Sequence, residues 1–343
     1  MTHNSESAIK AALVANGAIA VIKLVAAIFS GSSAMAAEFK HSVADWANSF
    51  FLLYGVRSAN RPRDQHYNFG YGKRVFFFSF LAALGMITIG GALSIYGGVS
   101  KILHPEPLVY VALNLGVLGA SILFESYSLT MALKALCAEA GVAASGPALL
   151  VKGARALVRA TPSTRFIFFE DSIALLGLLI AAAAVLLVHF TGQVWFDGAA
   201  SIIIGLILFY VGINLAKDNA DIITGESIGP EMTRAIGDFV MEMAGVTDIH
   251  ALRTMAIGPN AYLLEIIIEA NGELPLETSD DLGFTVKKEI KKRFPQIKHA
   301  SVTVMADNRN RNWPTAFCAA LPEDAAAGTC PVEAPKGRPA GTE

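Results

Sequence analysis

Six stretches of this chain, at residues 11–29, 34–56, 75–99, 108–132, 166–188 and 195–215, are each apolar for about 20 residues, long enough for a helix to cross the hydrocarbon core of a bilayer. Water is absent there, so a spanning backbone must satisfy its own hydrogen bonds, which favours helices. Of the 343 residues, 53% are hydrophobic and 16% charged, against about a quarter charged in soluble domains. The expected fold is therefore an α-helical membrane protein with six transmembrane helices. The opening Met1-Thr-His-Asn-Ser-Glu-Ser lacks the basic segment and cleavage site of a secretory signal, so the first stretch is expected to remain as a span.

The basic residues give the orientation. The second-to-third connection carries Arg57, Arg61, Arg63, Lys73 and Arg74, and the fourth-to-fifth carries Lys134, Lys152, Arg155, Arg159 and Arg165. Residues 30–33 and 189–194 have no Lys or Arg, and the third-to-fourth connection has only Lys101. Positive loops stay inside, so both termini are expected in the cytoplasm. A net charge of −2 excludes the basic footprint of a nucleic-acid binder. Cys137, Cys318 and Cys330 form no CxxC pair and read as reduced thiols.

The second stretch is not purely apolar: it holds Glu38, Lys40, His41, Asp45 and Asn48. An ionisable group at membrane depth costs about 2.5–3.5 kcal/mol even on the lenient scale, so such groups are functional by default. His41 and Asp45 are four apart and share a helix face. An imidazole nitrogen beside a carboxylate is half of a tetrahedral site for a divalent transition metal; the plainer reading is a buried His–Asp hydrogen bond that holds helices together.

A second acidic pair, Glu170-Asp171, opens the fifth stretch. Neighbours on a helix point about 100° apart, so both cannot aim squarely at one ion. The candidate metal ligands are His41, Asp45 and Asp171, with Glu170 either the fourth ligand or a proton-carrying group beside them. Glu125, Asn16, Lys23 and Asn114 add polar groups within the spans, for which packing is the simpler role. Lys40 is expected to neutralise Glu38 or to snorkel, and Asp197 to sit in interfacial water. A His/Asp site binds metal only when deprotonated, so metal and protons compete for the same groups.

Beyond residue 215 the composition turns mixed. Helical periodicity at 230–243, strand character at 249–257 and 261–269, an amphipathic helix at 276–294 and a strand at 300–305 give an α-β-β-α-β order. This suits a small α+β domain with helices on one face of a sheet. The boundaries read as a membrane domain at 8–220, the small domain at 221–308, and a disordered Ala-, Pro- and Gly-rich tail at 309–343.

Taken with Gly31-Ser-Ser-Ala-Met-Ala-Ala-Glu38, Arg61-Pro-Arg-Asp-Gln-His-Tyr-Asn-Phe-Gly-Tyr-Gly-Lys73 and Leu103-His-Pro-Glu-Pro107, the His41-x-x-x-Asp45 motif resembles the cation diffusion facilitator family of zinc-transporter-type exporters. The resemblance covers residues 8–308, and Glu170-Asp171 with Gly177 points to the branch resembling the animal mitochondrial zinc exporter. It implies a homodimer whose cytoplasmic domain, residues 221–308, is ferredoxin-like and mediates dimerisation. It also implies export of divalent metal, zinc foremost, against protons, with no prosthetic group. The setting it suggests is the cytoplasmic membrane of a bacterium.

The chain departs from the family pattern in two places, the fifth span and the cytoplasmic domain. Ile167 fills the first place of the fifth-span pair, and Ile266 and Met305 stand where other members carry ligand histidines. His250 and Asp307 match cytoplasmic ligand positions, so a regulatory site there reads as incomplete. The rival readings are a membrane scaffold or metal sensor that recruits partners through the same fold, and an intramembrane metalloenzyme, for which no H-E-x-x-H motif exists.

Overall fold

The computed structural model describes residues 3–142, 146, 148–157 and 162–314. Its elements are α1 (His3–Ser30), α2 (Ser33–Ala59), α3 (Arg74–Gly85), a π-helical turn (Met86–Ala92), α4 (Leu93–Leu103), α5 (Val111–Glu139), α6 (Ala148–Ala156), α7 (Pro162–Thr191) and α8 (Trp195–Thr224). They are followed by α9 (Pro230–Met241), β1 (Asp248–Gly258), β2 (Ala261–Ala270), α10 (Leu276–Arg293) and β3 (Ile297–Ala306). Two compact units result: residues 1–54 with 78–218, and residues 55–77 with 219 onward.

In the first unit, five helical stretches among the described residues are long and apolar enough to cross a membrane: Leu13–Ser30, Arg74–Leu103, Val111–Ala138, Phe168–Thr191 and Trp195–Thr224. The sixth expected span, α2, has the length, at 27 residues. The polar groups of the candidate site, Glu38, Lys40, His41 and Asp45, lower its apolarity. Short side chains let these helices approach closely. Gly91 and Gly98 on one side, and Gly198, Gly205 and Gly212 on α8, recur every seventh residue. A Cβ at Gly205 would stand 2.9 Å from the carbonyl oxygen of Gly91, and one at Gly212 2.7 Å from Ile87. Small-residue seams of this kind replace hydrophobic driving force where the solvent is itself apolar. Met35, Leu118, Leu178, Ala181 and Val185 fill the interior of the unit.

The 148–156 segment, read from sequence only as a basic connection, forms α6. It packs Leu149 and Ala156 against Leu133, Leu136 and Cys137 of α5, with Gly153 admitting Leu133.

The second unit has the α-β-β-α-β order read from its periodicities. Its sheet is ordered β1-β2-β3, with β1 and β2 antiparallel and β2 and β3 parallel. Three strands are present among the described residues, where a ferredoxin-like β-α-β-β-α-β unit has four. The central strand alternates as a half-covered strand must: Leu264, Ile266 and Ile268 are buried under α9 and α10 with Ile236, Val240, Val286 and Ile290. α9 opens on Gly229 at φ 92° followed by Pro230, and α10 closes on Lys291, Lys292 and Arg293, whose charges suit the helix dipole.

Residues 55–77, grouped with the membrane domain in the sequence reading, belong by their contacts to this second unit. Gly72 lies against the backbone of Ile257 and Gly258, Lys73 donates to the Ile223 carbonyl at 3.2 Å, and Phe69 meets the His299 ring edge-on. The expected tail is described only to residue 314, and up to there it is packed. Trp313 is 6% exposed, fills the notch left by Gly237, and donates its indole N–H to Asp238 at 3.1 Å. The backbone N–H groups of Asn312 and Trp313 both donate to Asp248. Residues 315–343 lie outside the described residues.

Candidate metal centre

On α2, Glu38, His41 and Asp45 stand at i, i+3 and i+7, which aligns them along one face. His41 Nε2 lies 3.6 Å from Asp45 Oδ2, beyond a hydrogen bond but within ionic reach. Both ring nitrogens of His41 and Asp45 Oδ1 are buried with no hydrogen-bond partner in the protein. A buried polar atom without a partner costs about 1–3 kcal/mol, and native structures keep few of them. Three on one helix turn, all with lone pairs or protons to place, fit a cation or water that the polypeptide itself does not supply. The simple His–Asp hydrogen bond is not formed.

The acidic pair on α7 divides between two neighbours, as the 100° rotation demands. Asp171 Oδ2 accepts a hydrogen bond from Ser128 of α5 at 3.0 Å, and Glu170 accepts one from Asn48 of α2. Asp45 nevertheless lies close enough to Asp171, Glu170 and Glu125 for their charges to act on one another. Among the described residues, no three His, Cys, Asp or Glu side chains stand together in a formed metal-binding arrangement. The structure thus brings His41 and Asp45 together and leaves Asp171 and Glu170 as acids in the same electrostatic neighbourhood. The side chain of Ile167 lies outside the described residues.

Two partnerships were not read from the sequence. Glu38 pairs with Lys23 of α1 at 3.0 Å, both fully buried, while Lys40 donates instead to the Leu93 carbonyl at 2.9 Å. Residues two apart on a helix face away from each other, so Lys40 could never have served Glu38. Asp197 is not in interfacial water: it is completely buried and caps α2. Its carboxylate accepts from Ser32 Oγ, from Ser33 N and Oγ (the latter at 2.8 Å) and from Ala34 N at 3.2 Å. An acid at that end also suits the α2 dipole, and so the cap fixes where the site-bearing helix starts.

In the second unit, His250 Nδ1 lies 3.2 Å from Glu269 Oε1. That buried carboxylate is filled by amides: Asn308 Nδ2 at 2.7 Å, Asn308 N at 3.2 Å and Asn312 Nδ2 at 3.1 Å. Asp307 turns away and accepts from Arg309 N at 2.7 Å. His250 and Asp307 are therefore not brought together as a ligand pair. His66 is exposed, and its backbone N–H bonds Asp64. His299 faces Phe69; burial, then the nearby Lys291 and Arg63 charges, push its ring below the usual histidine range.

Comparison with known proteins agrees with this organisation. The cation efflux transmembrane domain model matches residues 9–224, and the cation efflux protein cytoplasmic domain model matches residues 228–304. Metal tolerance protein C4 of Arabidopsis thaliana is 29% identical over 277 residues, covering 80% of this chain and 59% of that protein. The human mitochondrial proton-coupled zinc antiporter SLC30A9 is 27% identical over 331 residues, covering 86% of this chain and 57% of the relative. The chain therefore spans less than two thirds of the length of these two relatives. The cation-efflux pump FieF of Klebsiella pneumoniae is 27% identical over 303 residues, covering 85% of this chain and 89% of that pump.

Proposed function

The chain belongs to the cation efflux family, and we propose that it is a secondary transporter exporting a divalent transition metal, zinc foremost, from the cytoplasm in exchange for protons. The observation that carries the reading is the turn of α2 whose His41 nitrogens and Asp45 Oδ1 are buried without a protein partner. Those atoms are donors suited to zinc. Asp171 completes the ligand set from α7, and Glu170, held by Asn48, serves as fourth ligand or as the group that carries a proton. α2 acts as the sixth span: its polar residues face the bundle, where intramembrane ionisable groups are found. The setting is a bacterial cytoplasmic membrane with both termini inside, and the protein works as a homodimer, as the dimer-domain match supports.

The exchange follows from acid–base chemistry. A bound dication keeps imidazole and carboxylates deprotonated, and protons entering from the far side replace it. Each transition is then a swap of one set of positive charges for another on the same buried atoms, so the site is never left with bare acids at membrane depth. The human relative is named a proton-coupled zinc antiporter, which accords with this scheme. The test is purified protein in liposomes: an imposed proton gradient should drive zinc against its own gradient. Titration with zinc in buffers of different ionisation heat should register about one or two protons released near neutral pH. Zinc flux indifferent to the gradient, with no proton release, refutes the antiport.

A further inference from the structure

We propose that α6 is an interfacial helix, which seats Leu150, Val151 and Ala154 in the cytoplasmic leaflet and holds an anionic phospholipid headgroup on Lys152 and Arg155. Such a seat requires only that α5 spans the membrane, whichever ion the protein carries. At about 100° per residue, the nine residues of α6 divide into three faces. Leu149, Gly153 and Ala156 form the face pressed onto Leu133, Leu136 and Cys137 of α5. The fit is close: a Cβ at Gly153 would stand 2.5 Å from Leu133 Cδ2. The helix is therefore held in one rotation, which fixes where its other two faces point. The second face, Leu150, Ala154 and Val151, is apolar and exposed, with Leu150 at 60% and Val151 at 55%. The third is basic and exposed, with Arg155 beside Val151 and Lys152 a step further round.

Depth and charge together say what covers the apolar face. Tyr110, an exposed aromatic, opens α5 as residues at a membrane interface do. Measured from Val111, Leu133 and Cys137 lie about 33 and 39 Å along the helix at 1.5 Å per residue, or about 31 and 37 Å along the membrane normal at the usual tilt of about 20°. The hydrocarbon core is about 30 Å thick, and the headgroup layers bring the whole to about 40–45 Å. The stretch of α5 that carries α6 is thus the stretch that crosses the headgroups. A helix at that level sinks its apolar face into the acyl boundary and keeps Lys and Arg among the phosphates. The charge agrees: residues 133–165 carry Lys134, Lys152, Arg155, Arg159 and Arg165 against one acid, Glu139. Lys152 and Arg155, three apart, are neighbours on the helix surface. A basic edge beside an apolar face complements an anionic headgroup above its own acyl chains, and a zwitterionic headgroup gains far less from it.

The seat is tested on the full-length protein in liposomes of phosphatidylcholine and phosphatidylglycerol, with a fluorophore on Val151→Cys after Cys137, Cys318 and Cys330 are replaced by Ala. Lipids brominated on the acyl chain should quench the label, and aqueous iodide should not. Quenching by iodide instead, or by neither, puts water or another protein over the face and overturns the seat. The headgroup is tested by binding fluorescent phosphatidylglycerol, and separately fluorescent phosphatidylcholine, to the detergent-solubilised full-length protein. Lys152→Gln with Arg155→Gln should weaken phosphatidylglycerol binding at least about fivefold, the contribution of one basic side chain beside an anionic surface, and leave phosphatidylcholine binding as it was. Arg61→Gln with Arg63→Gln removes the same charge from exposed positions of the other basic connection and should change neither. Equal losses from the two pairs would reduce the preference to net charge and overturn the site, as would no loss from the α6 pair. The headgroup measurement needs no cysteine replacement, and it decides alone if the labelled protein does not fold.

Discussion

Cutting the small domain at residue 309 should cost most of its stability, whereas cutting at 314 should cost little. The five residues between the two ends carry Asn310, Asn312 and Trp313 across the outer surface of β1 and α9. Trp313 is 6% exposed, and a buried Trp covers about 150–250 Å². At about 25 cal/mol per Å² this is roughly 4–6 kcal/mol, an upper bound because unfolded chains already bury part of it. Measured Trp→Ala losses of about 3–5 kcal/mol agree in size. Asp248, 4% exposed, would also lose the N–H groups of Asn312 and Trp313, at about 0.5–1.5 kcal/mol for each bond. Domains hold only about 5–15 kcal/mol in total. A fragment of residues 225–309 should therefore unfold at markedly lower urea than one of residues 225–314, or not fold at all.

The assay is urea unfolding of both fragments followed by far-ultraviolet circular dichroism. In the longer fragment Trp313 is the sole tryptophan, so its fluorescence gives an independent trace, and the two traces should coincide for a two-state domain. Trp313→Ala in the longer fragment should reproduce most of the truncation. Equal midpoints for the two fragments would refute the reasoning and return Trp313 to an incidental surface contact. The longer fragment should not need metal, because Glu269 is already filled by His250, Asn308 and Asn312; folding of that fragment that requires zinc would contradict this.

Three further outcomes follow from the geometry. His41→Ala, Asp45→Ala and Asp171→Ala should each abolish zinc flux in liposomes while the protein still elutes as a folded dimer, and near-normal flux in any one removes that residue from the ligand set. Gly177→Ala should reduce both thermal stability and flux by forcing Glu38 off Lys23, overpacking alone costing about 1–3 kcal/mol, while Gly116→Ala, where a Cβ meets nothing within 4 Å, should be neutral; equal behaviour of the two refutes the close contact. His299 has its folded pKa held down by burial, then by Lys291 and Arg63, so its contribution is fully present above the unfolded value of about 6.5 and is lost as the pH falls through that value toward the folded one. His299→Gln should flatten that part of the stability-versus-pH curve in the full chain, and an unchanged slope between pH 7 and 5 would show that the ring is not involved.

What the sequence disclosed and what it hid divide along one physical line: periodic patterns were legible, pairings across long separations were not. Leu264, Ile266 and Ile268 announce a half-covered strand by alternation, and His41 and Asp45 announce a shared helix face by spacing, because both depend only on local geometry. The partner of Glu38 required a different argument. Helix geometry excludes Lys40, and the cost of a lone charge in lipid demands some cation, so Lys23, isolated in the first apolar stretch, could have been named from those two constraints. Asp197 offered no such handle: it caps a helix start 164 residues away in the chain, and nothing local distinguishes it from an acid in interfacial water. Trp313 lay between these cases. A single tryptophan in an otherwise small, polar tail is costly to leave in water, yet only the notch at Gly237 says where it goes. Asp171 and Glu170 show how the same logic bears on the site. Their adjacency forces divergent aims, and the structure gives one to Ser128 and the other to Asn48. An ion drawn to Asp171 would meet a carboxylate with one oxygen, Oδ2, already accepting from Ser128 and the other, Oδ1, open, so Ser128, an ordinary hydroxyl by sequence, fixes which oxygen of Asp171 is turned to it.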